Sequence, residues 1–533
     1  MPGIPRSLIE TIQERLPFPA TWEPEKTRLE TWTSGRKVWK VSWQAAAGGS
    51  QVHLWTDVDA ATEEIIGLTQ FGEGEGVTAP PRGRCTREEA LAQARETLTR
   101  VYPAKALQVE LAGAATGDDG YRFFFRRLVN GIPFDPDGFE VTVEGTSGLV
   151  REVQLEWSNT VFPSPDNIIT LEEASQCFLE RFPLQLMYCV PVKMGVRSMG
   201  LDDNDELEIQ WSPHPLPGER SRRALRVYAP AYSFLFSQEP FWQLDAFTGR
   251  LIDTGGRPVD HAAIKRRLLH PAKGVPANPK AKKKLNREEA LRRVQPVLDF
   301  LGGEYEVVKA QKTRMSGDQN EIWELQLAGE AGDVQVRLDR LTGEIWSLEN
   351  CANQAPENIS SPPAVSRMQA AARRLLELCL PERYAQLVAA DYVLPEDYRE
   401  FLYGFRPSPG EAWGQAFTFV ETVNGLPVTN NLATVILAGH TGQIQSFGFS
   451  RVPEGTEFPD PDTAMPPEAA VRRYLEATGI ELAYVRDWWG EPGEPPAARL
   501  VYRVKPSPSR NFSIFEPSNI LFLDACTGEP IKL

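Results

Sequence analysis

The stretch "LDAFTGRL" occupies Leu244 to Leu251, "LDRLTGEI" Leu338 to Ile345, and "LDACTGEP" Leu523 to Pro530. Asp, Thr and Gly at one spacing, three times over, are either a repeated active site or a repeated turn. The physics favours the turn. Asp at the start of a type I turn accepts hydrogen bonds from backbone N–H groups just ahead of it. Gly four residues on supplies a positive φ that most residues reach only at a cost of about 1 kcal/mol or more. Thr caps the turn with its hydroxyl, and the two middle positions vary freely (Ala-Phe, Arg-Leu, Ala-Cys), as outward-pointing side chains do. Catalysis would need a base beside each Thr, and none recurs. Asp245, Thr248, Gly249, Asp339, Thr342, Gly343, Asp524, Thr527 and Gly528 are therefore read as structural turn residues.

Working outward, related turns occur in "TDVDAATEEIIGL" near Asp59, "VEGTSGLV" from Val143 and "LAGHTGQI" from Leu437. Six segments with helical apolar periodicity alternate with them: Ser7 to Leu16, then segments from Thr86, Thr170, Asn286, Ser366 and Pro466. Three carry the pattern [T/N]-x-E-E-A, a capping-box signature. Between helices lie alternating aromatic and β-branched stretches such as "YRFFFRRLV", which read as antiparallel strands. Matching turns fall roughly 280 to 294 residues apart. An independent match is "VNGIP" at Val129 to Pro133 against "VNGLP" at Val423 to Pro427, with turn residues Asn130, Gly131, Asn424 and Gly425. The expected fold is α+β: tandem units, each a helix packed on an antiparallel sheet, six in two similar halves. The boundaries are 1–84, 85–165 and 166–270, a Pro/Lys-rich linker at 271–285, then 286–360, 361–463 and 464–533.

A chain of 533 residues is too long for one core. Its formal charge of −15 disfavours nucleic acid and anionic lipid as partners. No apolar run approaches the roughly 18 residues of a membrane span, so no membrane insertion is expected. The N-terminal segment is interrupted by Glu10, Gln13, Glu14 and Arg15 and is not a secretory signal, which implies a cytoplasmic protein. An exported protein is the alternative if the true start lies upstream. Cys85, Cys177, Cys189, Cys351, Cys379 and Cys526 are scattered without a CxxC pair and are read as mostly buried free thiols.

No catalytic signature emerges. His53, His214, His261, His270 and His440 form no zinc-ligand pair, and there is no nucleophile elbow or P-loop. "FGEGEGV" at Phe71 to Val77 would set Glu73 and Glu75 against a phosphate and is a loop. "LDDNDELEIQW" from Leu201 lacks the Gly and distant Glu of an EF-hand and is a hairpin loop before a strand. "FDPDGFEV" at Phe134 to Val141 is read as a turn feeding a strand. Trp39, Val41 and Trp43 alternate on one strand face; core packing is the plain reading, and Trp39, Trp43 and Trp55 are the candidate binding residues if a platform exists. No cofactor or metal is expected.

The capped helix followed by strands with "D-x-x-T-G-x-[IL]" is similar to the PepSY type of domain. The segments "RRLVNGIPFDPDGFEVTVEGTSGLVREVQLEW" and "FVETVNGLPVTNNLATVILAGHTGQIQSFGF" resemble the YcdB/YcdC repeat family of Gram-positive bacteria, over nearly the whole chain. The "NG[IL]P-V" element also resembles the propeptides of thermolysin-type metalloproteases, in which PepSY-like modules restrain the protease. No protease domain follows here. Repeated α+β modules with no catalytic constellation, and sheets that receive peptides by strand addition, lead to the expectation of a non-catalytic protein that binds a protein or peptide partner through sheet edges or faces, with peptidase regulation as one form. A structural protein gripping a sugar or aromatic ligand with its Trp-rich first unit is the alternative, and a hydrolase with a noncanonical site the third. The partner and the oligomeric state are not fixed by the sequence.

Overall fold

The helices begin where their caps stand. Thr86, Thr170 and Asn286 each accept the backbone N–H of a Glu three residues on, and Glu89, Glu173 and Glu289 each accept the cap residue's own N–H. For Thr86 the two bonds measure 3.3 and 2.9 Å. Each box pairs two N–H groups that a first turn otherwise leaves open, at about 1 kcal/mol per cap. The Ser signals act differently. The first helix starts at Arg6 behind Pro5 and the fifth segment's at Val365 behind Ala364, neither with a side-chain cap; burial of one apolar face sets these two.

A computed structural model describes residues 4–16, 23–32, 36–44, 53–71, 85–117, 120–190, 194–201, 207–213, 223–230, 243–252, 256, 258, 284–314, 321–330, 332–350, 363–389, 414–439, 441–450, 456–487, 497–505 and 522–531. The helices among them are α1 (Arg6–Arg15), α2 (Arg87–Val101), α3 (Pro103–Ala106), α4 (Leu171–Arg181), α5 (Arg287–Leu301), α6 (Val365–Cys379) and α7 (Pro467–Thr478). The first strands are β1 (Glu23–Thr31), β2 (Lys37–Gln44), β3 (His53–Asp59), β4 (Ile65–Phe71), β5 (Val109–Gly117), β6 (Gly120–Val129), β7 (Ile132–Glu144) and β8 (Val150–Glu156). Next come β9 (Leu184–Cys189), β10 (Met194–Leu201), β11 (Leu207–Pro213), β12 (Leu225–Pro230), β13 (Gln243–Asp245) and β14 (Leu251–Ile252). The second part of the chain adds β15 (Tyr305–Arg314), β16 (Glu321–Gly329), β17 (Val334–Asp339), β18 (Ile345–Asn350), β19 (Leu387–Ala389), β20 (Gly414–Val423), β21 (Leu426–Ala438) and β22 (Ile444–Phe449). The last are β23 (Ile480–Asp487), β24 (Ala497–Val504), β25 (Phe522–Asp524) and β26 (Pro530–Ile531).

These elements form two units, each α+β and rich in sheet. Unit 1 gathers Met1–Phe182, Phe236–Val259 and Leu475–Leu521; unit 2 gathers Pro183–Leu235, Asp260–Tyr474 and Phe522–Leu533. The sheet of unit 1 runs β1-β2-β3-β4-β8-β7-β23-β24-β13-β14, with β5-β6 attached to β7. The sheet of unit 2 runs β15-β16-β17-β18-β22-β21-β9-β12-β25-β26, with β19-β20 attached to β21. Neighbours are antiparallel except at one matching place in each: Tyr484 pairs with Phe134 in parallel in unit 1, and Tyr188 with Val428 in unit 2. Among the described residues β10 and β11 pair only with each other.

That order corrects the expectation that 166–270 and 464–533 fold each on its own. β9 and β12 are completed by β25 and β26 from the C-terminus, while β23 and β24 are completed by β13 and β14. The chain exchanges strands between its two halves. The two third segments meet the two sheets in matching registers.

In unit 1 the inward face of the sheet carries Val41, Leu54, Val58, Leu68, Phe123, Phe125, Val141 and Val153, packed with Leu8 and Ile12 of α1 and Ala90, Ala94 and Leu98 of α2. In unit 2 the same role falls to Leu325, Val336, Leu348, Phe417, Val435 and Phe447, with Ala290 and Val294 of α5 and Ala372 and Leu376 of α6. The two Asn-Gly pairs turn β6 into β7 and β20 into β21, with φ of 54° and 76° at Asn130-Gly131 and 50° and 82° at Asn424-Gly425. Positive φ at both central residues is what a two-residue hairpin of type I′ requires.

"FDPDGFEV" is not a turn. It continues as β7, with a register shift opposite Arg126 and Arg127. Gly138 sits there at φ 155°, where a Cβ would lie 1.8 Å from the Phe125 carbonyl oxygen. Gly138 pairs with Arg126 of β6, Phe134 pairs with Arg127 of β6 and Tyr484 of β23, and Asp135 to Asp137 bulge between these rungs without a ladder partner.

Candidate binding face

The Asp turns are built alike. Asp245 Oδ1 accepts the Thr248 N–H and hydroxyl at 2.8 and 2.7 Å. Asp339 Oδ1 accepts the Leu341 and Thr342 N–H groups at 2.7 and 2.8 Å, and Asp524 Oδ1 those of Cys526 and Thr527 at 2.9 and 2.8 Å. Gly249, Gly343 and Gly528 follow with φ of 64°, 73° and 73°. In the copy at Asp59, Glu63 takes the glycine position at φ 57°. Burial would raise the Asp59 carboxyl, but Arg36 and the N–H groups of Thr62 and Ala61 outweigh it and hold the pKa at about 2.

The tryptophans divide between the two faces of the sheet. Trp39 and Trp43 are buried in the core with Leu8, Ile12 and Leu16, and the Trp43 indole N–H donates to Thr56 Oγ1 at 3.0 Å. Neither is placed to meet a ligand. Trp55, one strand over and opposite in parity, is 55% exposed on the outward face.

Around Trp55 the register sets a polar field. One row across the sheet reads Arg28, Lys40, Asp57, Gly67, Gln154 and Glu140; the next reads Ser42, Trp55, Thr69, Glu152, Thr142 and Arg122. Lys40 Nζ lies 3.5 Å from Asp57 and 3.8 Å from Glu30, and Arg122 Nε lies 3.1 Å from Glu140. Burial pushes the Asp57 carboxyl above its ordinary range despite Lys40, and Glu140 likewise despite Arg122. An exposed indole with one charge pair beside it and a second farther across the same face has the composition of a protein-contact surface: an aromatic anchor in a polar surround.

Sequence reasoning missed the buried charges. In unit 1, Arg126 donates to Glu110 at 2.7 Å and to both oxygens of Glu481 at 3.2 Å, while Arg503, 1% exposed, meets Glu481 at 2.8 Å and Asp135 at 2.5 Å. Beside them Asp137 accepts from Arg127 at 2.8 Å and from the Ser158 N–H at 2.9 Å. In unit 2, Arg383 joins Glu344 at 2.7 Å and Glu421 at 3.0 Å, all three buried. The available signal was charged residues at inward or edge positions of strong strands, as in "FDPDG".

Among the described residues no group of His, Cys, Asp and Glu is arranged to hold a metal ion, and no helix is long and apolar enough to cross a membrane. Cys85, Cys189 and Cys379 are buried free thiols, Cys177 is half-buried and Cys526 exposed. Cys351, His214, His261, His270, His440, the glycine-rich 72–77, the acidic 202–206 and linker positions 271–283 lie outside the described residues.

The repetition seen in the fold has a counterpart among known families. The profile of the YcdB, YcdC repeated domain matches twice, over residues 8–157 and 302–451. The chain belongs to the YcdB/YcdC repeated-domain family. Those two copies carry α1 to β8 and β15 to β22, one in each unit, so the family repeat stops short of the exchanged strands. No curated protein matches the chain. Among solved structures, the Bacillus megaterium YpeB C-terminal domain aligns at 12% identity over 42% of this chain and 91% of its own, with a TM-score of 0.26.

Proposed function

We propose that this YcdB/YcdC-repeat protein is a non-catalytic binder of a protein or peptide partner, made of six PepSY-like modules, and that a peptidase is the kind of partner it regulates. The observation that carries the reading is Trp55, exposed on an outward sheet face beside the Lys40–Asp57 pair. Asp57 and Glu140 on this face are raised by burial against the pull of Lys40 and Arg122. Sheets of this kind offer faces for side-chain contact and edges, such as β1, for strand addition.

The test is a peptide array probed with the full chain, followed by fluorescence anisotropy on the peptides that bind. Trp55→Ala is expected to weaken binding at least tenfold while changing stability by no more than about 0.5 kcal/mol. Gln335→Ala, at the matching position in unit 2, is expected to leave binding unchanged. Equal affinity for the wild type and Trp55→Ala would overturn the proposal's site, and a pull-down from the native host without a reproducible protein partner would count against its function.

A further inference from the structure

Each unit has one joint where a hairpin from the other half of the chain docks on its sheet. In unit 1, β23-β24 dock beside β7 at Phe134; in unit 2, β9-β12 dock beside β21 at Val428. The two joints superimpose residue for residue in register. Tyr484 and Tyr188 match, each donating its hydroxyl to a proline carbonyl, Pro163 and Pro459 respectively. Tyr502 and Tyr228 match as well, donating to the carbonyls of Ile169 and Met465 at 2.6 and 2.7 Å. None of these contacts distinguishes one hairpin from the other.

Four positions do. The unit 1 joint sets Arg126 and Asp135 of the sheet against Glu481 and Arg503 of the hairpin, where Glu481 and Arg503 are direct cross-strand partners. In register, the unit 2 joint has Val420 and Thr429 on the sheet and Gln185 and Ala229 on the hairpin, with Gln185 and Ala229 again cross-strand partners. One joint is ionic and the other carries no charge at these positions.

We infer that these four charges select which hairpin completes which sheet, and so enforce the strand exchange between the two halves. Consider the unexchanged alternative. β9-β12 on the unit 1 sheet would set Gln185 and Ala229 against Arg126 and Asp135, which would keep each other and Glu110 but lose Glu481 and Arg503. β23-β24 on the unit 2 sheet would bury Glu481 and Arg503 against Val420 and Thr429. Exchange gathers all four charges in one joint and leaves the other neutral. The neutral joint tolerates its one imperfection, an unpartnered Gln185 Oε1, because an amide costs far less to bury than a charge. Ion networks can serve specificity, and here the pairs Arg126–Glu481 and Arg503–Asp135, which form only in the exchanged pairing, are the discriminating element.

The test uses the full chain with a protease site inserted between Gly274 and Val275, refolded from denaturant, cut, and run on a size-exclusion column. The wild type is expected to remain one particle after cutting, because each unit contains strands of both fragments. Glu481→Gln with Arg503→Ala gives β23-β24 the neutral pattern of β9-β12; separable fragments are expected to rise on the order of tenfold or more. Glu481→Arg with Arg503→Glu alone opposes like charges and is expected to raise them further. Reversing all four, with Arg126→Glu and Asp135→Arg added and Glu110→Gln to remove the like charge beside position 126, restores complementarity and is expected to return a single particle. Hydrogen exchange reads the pairing directly: Leu244→Ala deprotects β24 when strands are exchanged and β12 when they are not. Neutralised and half-reversed proteins that stay wholly inseparable with wild-type protection would overturn the inference. So would a four-fold reversed protein that separates or does not fold, and this last comparison decides the matter if the neutralised variant itself fails to fold.

Discussion

Laid over one another by register, the sheets of the two units agree on one face and disagree on the other. Inward, Trp39, Val41 and Trp43 correspond to Trp323, Leu325 and Leu327, and Phe123 and Phe125 to Phe417 and Phe419. Outward, Trp55 corresponds to Gln335, Glu140 to Thr434, Glu152 to Ser446 and Arg122 to Ala416. The Lys40–Asp57 pair is matched by Glu324–Arg337 at 3.0 Å, with the charges on opposite strands. Burial constrains what an inward side chain can be, whereas a solvent-facing pair needs only to be complementary. The outward faces are where the two copies are free to do different things.

The largest contrast to break lies at the first residues past α2 and α6. Lys105 pairs with Glu64 in unit 1, half in water; at the matching place in unit 2, Arg383 sits 9% exposed between Glu344 and Glu421. Arg383→Met removes the shared cation from two buried carboxylates and is expected to cost unit 2 about 3–5 kcal/mol. Lys105→Met is expected to cost about 1 kcal/mol or less. Guanidinium unfolding followed by hydrogen exchange measures both, and equal losses would erase the distinction drawn between a buried and a half-exposed pair.

Next are the turns. Gly343→Ala forces a side chain into φ 73° and is expected to lose about 1 kcal/mol. Glu63 already bears that strain at φ 57°, so Glu63→Gly is expected to stabilise unit 1 by up to about 1 kcal/mol in thermal melts. A Glu63→Gly protein no more stable than the wild type would show that its side chain repays the strain.

The smallest effect is a pH dependence. The Asp59 carboxyl is held at about 2, below its ordinary 3.8. A depressed acid contributes stability that is complete above the unfolded value and lost as pH falls through the folded one. The stability gap between the wild type and Asp59→Asn is therefore expected to shrink from about pH 4 to about pH 2. Asp57, two residues earlier on β3, is pushed upward by burial, so Asp57→Asn is expected to show no such loss. A gap that stays constant across the acid range would mean that Arg36 and the turn amides do not favour the ionised form.

Much of this was legible in the chain. Thr86, Thr170 and Asn286 announce helix starts because a capping box is local, needing only a side chain and the next turn. Asp245, Gly249 and Asn130-Gly131 announce turns because φ preference belongs to single residues. The Trp39/Trp43 alternation located a buried face, but which face Trp55 occupied depended on the parity of a neighbouring strand. "FDPDGFEV" misled because Pro, Asp and Gly favour turns in isolation, whereas here they form a bulge within β7 whose aspartates pair with Arg126 and Arg127.

By itself the sequence determined what is short-range: caps, turns, the alternation of helix and strand, and the twofold repetition that places the chain in its family. Only the tertiary structure decided partners: which hairpin closes which sheet, which tryptophan meets solvent, and which charges are buried together. Local structure follows from each residue's own torsions and nearest amides. Pairing between near-identical modules is a choice among competing long-range contacts, and four charged side chains at one joint are enough to tip it.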